Sequence, residues 1–136
     1  MKTFATLLFG IFVIFSAYAQ ETTEVKNGPV MTFAEEKHDF GDIHQGDKVK
    51  HTFTFENTGN EPLIISNVQV TCGCTASEWP RDPIAPGAEA SITILFNSTG
   101  KMGRQNKVVT IVSNGVNPRN RVTIVTNVLP KKDDTE

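Results

Sequence analysis

The chain has 136 residues, 13 of them basic and 15 acidic, for a net charge of −2 and a hydrophobic fraction of 38%. That length is enough for one domain with its own core and excludes two. The mild acidity, with no Lys/Arg run longer than Lys131-Lys132, excludes a nucleic-acid partner, because phosphate binding needs a clustered basic face.

Taken from the N-terminus, Lys2 is followed by an uncharged run from Phe4 to Phe15, and the run closes on Ala17-Tyr18-Ala19. A short positive region, an apolar stretch and small residues at the first and third positions before a cut are the features of a secretory signal peptide, here residues 1–19, cleaved after Ala19. The stretch reaches only about 16 residues, short of the roughly 20 needed to span a bilayer, so no membrane span is expected after cleavage. The expected location is the periplasm or the extracellular space. Cleavage leaves 12 basic and 15 acidic residues, a net charge of −3. Residues 20–30 are polar, contain the breaker Asn27-Gly28-Pro29, and read as a flexible leader. Residues 130–136 read as a charged, solvated tail. The folded unit is therefore placed at 31–129.

Within that unit the apolar period is two. Met31 to Glu35 begins it. Val49, His51, Phe53 and Phe55 then alternate with Lys48, Lys50, Thr52, Thr54 and Glu56, which describes a half-buried strand. Leu63 to Val70 follows, then Ala90 to Phe96 with Ile92, Ile94 and Phe96 in phase. Lys107 to Ser113 and Arg121 to Val128, with Val122, Ile124 and Val128 in phase, complete the series. Phe53, Phe55, Ile92, Ile94, Phe96, Ile111, Val122 and Ile124 are the expected core. The connectors supply turn chemistry at Asn57-Thr58-Gly59-Asn60, Ala85-Pro86-Gly87-Ala88, Ser98-Thr99-Gly100 and Ser113-Asn114-Gly115. Pro86 presets a negative φ and Gly87 accepts a positive one, which predicts a type II turn. Six or seven short strands without a helix predict an all-β chain, an immunoglobulin-like β-sandwich of about seven strands. An antibody-type domain is excluded, because its two cysteines lie on strands far apart in sequence.

Phe40-Gly41-Asp42-Ile43 with Gly46, the strand His51 to Phe55 with Asn57-Thr58-Gly59, Pro62 to Ile65, Cys72-Gly73-Cys74-Thr75, Trp79-Pro80, Pro83 to Gly87 and Ser113-Asn114 stand in an order that resembles the family called domain of unknown function 1573, over roughly 33–128. The resemblance implies a bacterial envelope protein with an immunoglobulin-like fold, similar to major sperm protein and Hydin-type sandwiches, and it implies no reaction. Members often carry a lipoprotein signal. This sequence departs from that pattern, with Gln20 where a lipid-bearing cysteine would stand.

Cys72 and Cys74 are the candidate redox or disulfide pair. Two residues apart on a strand they share a face, with Cα atoms about 6.6 Å apart on an ideal strand, so a bond between them needs a local bend, for which Gly73 is the candidate. Three roles follow: a local staple or small buried residues, a reducible pair for thiol exchange, or two thiolates for Cu(I). The segment His38-Asp39-Phe40-Gly41-Asp42-Ile43-His44 invites a metal reading. If it is extended, however, His38, Phe40, Asp42 and His44 share a face with Phe40 among the polar groups, and core packing is the simpler role. His51, in phase with Phe53 and Phe55, reads as a satisfied or strand-end histidine. No nucleophile elbow, phosphate-cradling loop or catalytic carboxylate pair is identifiable, so no catalytic, cofactor-binding or metal residue is assigned and no cofactor is expected.

The function expected from these features is an exported, non-catalytic envelope module that binds a protein partner or supports an assembly. The rival is a thiol-redox or copper-handling protein built on Cys72-Gly73-Cys74. Intact-mass measurement of the exported protein is expected to give a chain starting at Gln20, free or cyclised to pyroglutamate. Recovery only of a membrane-bound species retaining residues 1–19 would rule cleavage out.

Overall fold

The computed structural model describes residues 27–133. The signal peptide read at residues 1–19 lies outside the described residues. The described chain forms strands β1 (Met31–Phe33), β2 (Lys37–His44), β3 (Lys48–Asn57), β4 (Ile65–Val70), β5 (Thr75–Glu78), β6 (Glu89–Asn97), β7 (Gly103–Ser113) and β8 (Arg119–Leu129). They make two four-stranded sheets, ordered β1-β3-β6-β5 and β2-β8-β7-β4. All pairings are antiparallel except β2 with β8, which is parallel. Among the described residues no helix is long and apolar enough to cross a membrane.

The alternation in the sequence becomes the two inner faces. On β3 and β6, Phe53 lies opposite Ile92 and His51 opposite Ile94, while Thr52 and Thr93 meet on the outer face. Val109 and Ile111 of β7 and Val122, Ile124 and Val128 of β8 supply the facing layer. Each of the eight residues expected in the core is at most 1% exposed, and each large apolar side chain removed from water contributes roughly 1.5–3 kcal/mol. Leu63 and Ile84 join this core from connections rather than strands. Their backbones exchange two hydrogen bonds of 2.8 Å, which tie the β3–β4 connection to the β5–β6 connection.

Eight strands replace the six or seven expected. β5 is only four residues long and follows a turn, so its alternation is too short to register as a strand. β7 begins at Gly103 rather than Lys107, because its first residues pair with Thr126 to Val128 of β8 while carrying polar side chains.

β2 corrects the expected faces. A bulge between Asp39 and Asp42 inserts an extra residue, and Gly41 accommodates it with φ of 71°. The insertion reverses the alternation. His38 and Phe40 lie partly buried before it, but after it Ile43 is buried and Asp42 exposed, so His38, Phe40, Asp42 and His44 do not share a face. The buried Thr126 hydroxyl stands opposite the bulge and donates to the Gly41 carbonyl at 2.8 Å. The Ala85-Pro86-Gly87-Ala88 turn forms as expected, with Ala88 N–H donating to Ala85 C=O at 3.0 Å and Gly87 at φ 79°.

Asn57 ends β3 with no exposed surface. Its Nδ2 donates to the carbonyls of Glu61 at 2.7 Å and Ile84 at 2.9 Å, and its Oδ1 accepts from the N–H of Val30 at 3.2 Å and Gly59 at 3.1 Å. Asn57→Ala removes a partner from each of those four backbone groups, of which the Ile84 carbonyl keeps its bond from Leu63 N–H, and is expected to cost about 2–4 kcal/mol. Phe55→Ala should cost about 3–5 kcal/mol through the cavity it opens. Urea denaturation midpoints check both, and an unchanged midpoint in either variant contradicts the packing described here.

Candidate functional site

Cys72 and Cys74 are joined by a disulfide with Cα atoms 5.3 Å apart, shorter than the strand spacing because the chain turns between them. Thr75 N–H donates to Cys72 C=O at 3.3 Å, closing a turn over Gly73 and Cys74, and Asn97 N–H donates to Cys74 C=O at 2.9 Å, fixing the turn to the end of β6. The bend is present, but glycine is not what permits it. Gly73 does not adopt positive φ, and a Cβ placed there meets nothing within 4 Å. The turn carries the chain from β4 in one sheet to β5 in the other, so the disulfide sits on a crossover. Both cysteines are partly exposed, and Cys74 borders a shallow groove of about 270 Å³ lined by Lys48, Ala76, Leu95 and Phe96. Once bonded, the sulfurs offer no thiolate, so in this form they are not the ligand pair that Cu(I) takes.

The polar residues of the 38–44 segment do not converge. Asp39 accepts from Gly41 N–H at 2.8 Å and meets Arg104 at 3.4 Å, while Asp42 accepts from Asn127 Nδ2 at 3.0 Å. His38 alone is brought to another group singled out in the sequence, His51. Their rings stack at 3.6 Å between centroids and 4° between planes, one from β2 and the other from β3, and so bridge the two sheets. Phe40 meets the His38 ring edge-on at 4.6 Å, and Phe53 meets His51 edge-on at 4.8 Å. Glu35, in the β1–β2 connection, joins them. Its Oε1 hydrogen-bonds His51 Nε2 and lies 4.0 Å from His38 Nδ1.

Sequence reasoning missed Glu35 and paired neither histidine with the other. His38 and His51 lie on different strands of different sheets, and their proximity arises only when the sheets pack. The one available signal was that both are polar residues in phase with Phe residues that face the core.

The class defined by this architecture is the two-sheet, immunoglobulin-like β-sandwich. The chain belongs to the family of proteins of unknown function DUF1573, whose model matches residues 31–128. Among solved structures it is similar to a protein of unknown function from Porphyromonas gingivalis W83, with a TM-score of 0.65 and 18% identity over 80% of this chain and 51% of that one. It is similar to PapD-like domain 7 of human CEP192, an ASH/PapD-like domain, with a TM-score of 0.58 and 10% identity over 75% of this chain and 87% of the other. It also resembles part of VesC, a secreted serine protease of Vibrio cholerae, with a TM-score of 0.57 and 19% identity over 73% of this chain and 23% of the protease. The chain thus spans about a quarter of the protease and about half of the Porphyromonas protein, and at these identities the likeness is one of fold. No curated protein matches it.

The disulfide closes a loop of sequence separation 2, so chain entropy gives it only about 1–2 kcal/mol of stabilisation. Cys72→Ser with Cys74→Ser is expected to lower the denaturation free energy by that amount and leave the protein folded. Loss of folding in the double variant, with near-ultraviolet circular dichroism as the readout, would show that the crossover depends on the bond.

Proposed function

We infer that the protein is an exported, non-catalytic envelope module that binds an extended segment of a partner protein along the free edge of β4. The observation that carries this reading is the contrast between β4 and the other three edge strands. β1 has three residues, β5 has four and runs into Pro80, and β2 carries Lys37, Asp39 and Asp42 together with a bulge. Short length, charge, proline and bulges are the devices that keep an edge from pairing with another chain. β4 reads Ile-Ser-Asn-Val-Gln-Val, pairs only with β7 and has no charge or proline across six residues. β4 has a bulge of its own at Ser66, at its start, and beyond it the register from Asn67 to Val70 is regular. Such an edge offers backbone N–H and C=O groups to an added strand. Export is supported by the disulfide, since such bonds persist in oxidising compartments.

A second reading, thiol exchange at Cys72 and Cys74, is favoured by the partly exposed disulfide at the rim of the groove over Ala76 and Leu95, where a substrate segment would lie. It predicts that partner capture depends on the cysteines. Edge binding predicts that capture depends on β4.

A photo-crosslinking side chain at Ser66 or Gln69, both exposed on β4, is compared with one at Thr52 on the outer face of the other sheet. Adducts with an envelope protein are expected at the β4 positions, not at Thr52, and should disappear when Asn67 and Gln69 are both replaced by Lys. Those exposed substitutions should change stability by no more than about 0.5 kcal/mol. No adducts, equal adducts at Thr52, or adducts that survive the lysine variant would sink the edge reading. Adducts lost only with Cys72→Ser would favour thiol exchange.

A further inference from the structure

We propose that Glu35, His38 and His51 form a binding site for one divalent late first-row transition-metal ion, Zn²⁺ or Cu²⁺, held by a Glu35 carboxylate oxygen, His38 Nδ1 and His51 Nε2. Each of these residues presents a ligand atom, and the three atoms lie within 4.8 Å of one another. In a tetrahedral site with metal–ligand distances of about 2.0–2.1 Å, ligand atoms stand roughly 3.3–3.4 Å apart. Binding therefore requires the close Glu35–His51 contact to open, the Glu35 oxygen to approach His38, and the two parallel rings to tilt so that each nitrogen lone pair points at the ion; Glu35 is the most exposed of the three at 48%. The Glu35 carboxylate is close to His51, yet its 4.0 Å separation from His38 Nδ1 is beyond hydrogen-bond reach. An ion between the three groups would satisfy all of them at once.

The backbone under the cluster is held on both sides. Ala34 N–H donates to Thr54 C=O of β3 at 3.0 Å, and the next residue but one, Glu36, accepts from Thr123 N–H of β8 at 2.8 Å. Glu35 is thus pinned between one sheet and the other, directly beside the stacked rings. Phe40 and Phe53 pack edge-on against those rings. The backbone hydrogen bonds hold the segment carrying Glu35, and the aromatic edges give the two rings an apolar surround. Two imidazoles and one carboxylate suit Zn²⁺, Cu²⁺ or Ni²⁺. Mg²⁺ and Ca²⁺ prefer oxygen ligands in greater number. Three protein ligands leave a coordination position toward solvent for water or a donor from a binding partner. The ion would join β2 of one sheet to β3 of the other, so occupancy should stabilise the fold through linkage.

The test uses the purified, untagged protein, titrated with Zn²⁺ by calorimetry and followed by thermal denaturation with and without the metal. One ion per chain and a rise in Tm of roughly 10 °C or more at 100-fold excess over Kd are expected. His38→Ala and His51→Ala should each weaken binding by about tenfold or more. His44→Ala, at the far end of β2, should bind as the unaltered protein does. Because the histidine variants remove a stacked ring, circular dichroism verifies their fold, and Glu35→Gln, at an exposed position, provides a second weakened variant. In the unaltered protein, Zn²⁺ should shift the imidazole nitrogen resonances of His38 and His51 but not those of His44. Absence of saturable binding at millimolar Zn²⁺, equal binding of Mg²⁺, or binding that survives loss of both histidines overturns the proposal.

Discussion

Asn57 carries a side-chain amide with no access to water, and the burial is tolerable because every hydrogen-bonding group of that amide is used. An unpaired buried amide would cost several kcal/mol, so the geometry around it is demanding as well as stabilising. The four partners belong to the N-terminal approach to β1, the β3–β4 connection and the β5–β6 connection. The main chain of Asn57 adds two more links, to Ala88 and Gly87, at 3.0 and 2.7 Å. One residue therefore sets where three separate connections lie, and the Leu63–Ile84 bridge beside it places two core residues that belong to no strand. Ser98 plays a comparable part in the β2–β3 connection. Its buried hydroxyl lies within 2.9 Å of the His44 carbonyl and 2.7 Å of that of Asp47, and its single proton is shared between them.

With the connections held, the side of the sandwich where β1 passes to β2 becomes a place where two sheets can present polar groups to each other. The bulge at Gly41 confines inward-facing His38 and Phe40 to the first half of β2, and Ile43 returns to the core in the second half. Without the extra residue, the alternation that points His38 and Phe40 inward would direct Asp42 and His44 toward the core as well. The bulge thus keeps Asp42 and His44 out of the inward set, and the packing of β2 against β3 brings His38 onto His51.

The opposite side of the sandwich, at β4 and β5, carries the disulfide and the uncharged edge. There the chain crosses from sheet to sheet in the few residues between Val70 and Thr75, and the Cys72–Cys74 bond with its turn shapes the crossing. The turn and the bond follow directly on the end of β4. The two sides of one small fold thus bear different chemistry. Imidazoles and a carboxylate lie on one, and bare backbone and a partly exposed disulfide on the other.

The sequence by itself determined the all-β class, the strands with strong alternation and the core from Phe53 to Ile124, because period-two burial is written residue by residue along the chain. It determined the Pro86-Gly87 turn, whose backbone angles are set by those two residues, and it singled out Cys72 and Cys74 as neighbours able to bond. Tertiary structure alone decided the parallel pairing of β2, the bulge that reverses its faces and the burial of Asn57, which in sequence is one polar residue among several in a turn. It also decided that Glu35, His38 and His51 meet. Local pattern encodes which face a side chain takes, but contacts between sheets depend on register and on how two layers pack, and neither is a property of any short stretch of residues.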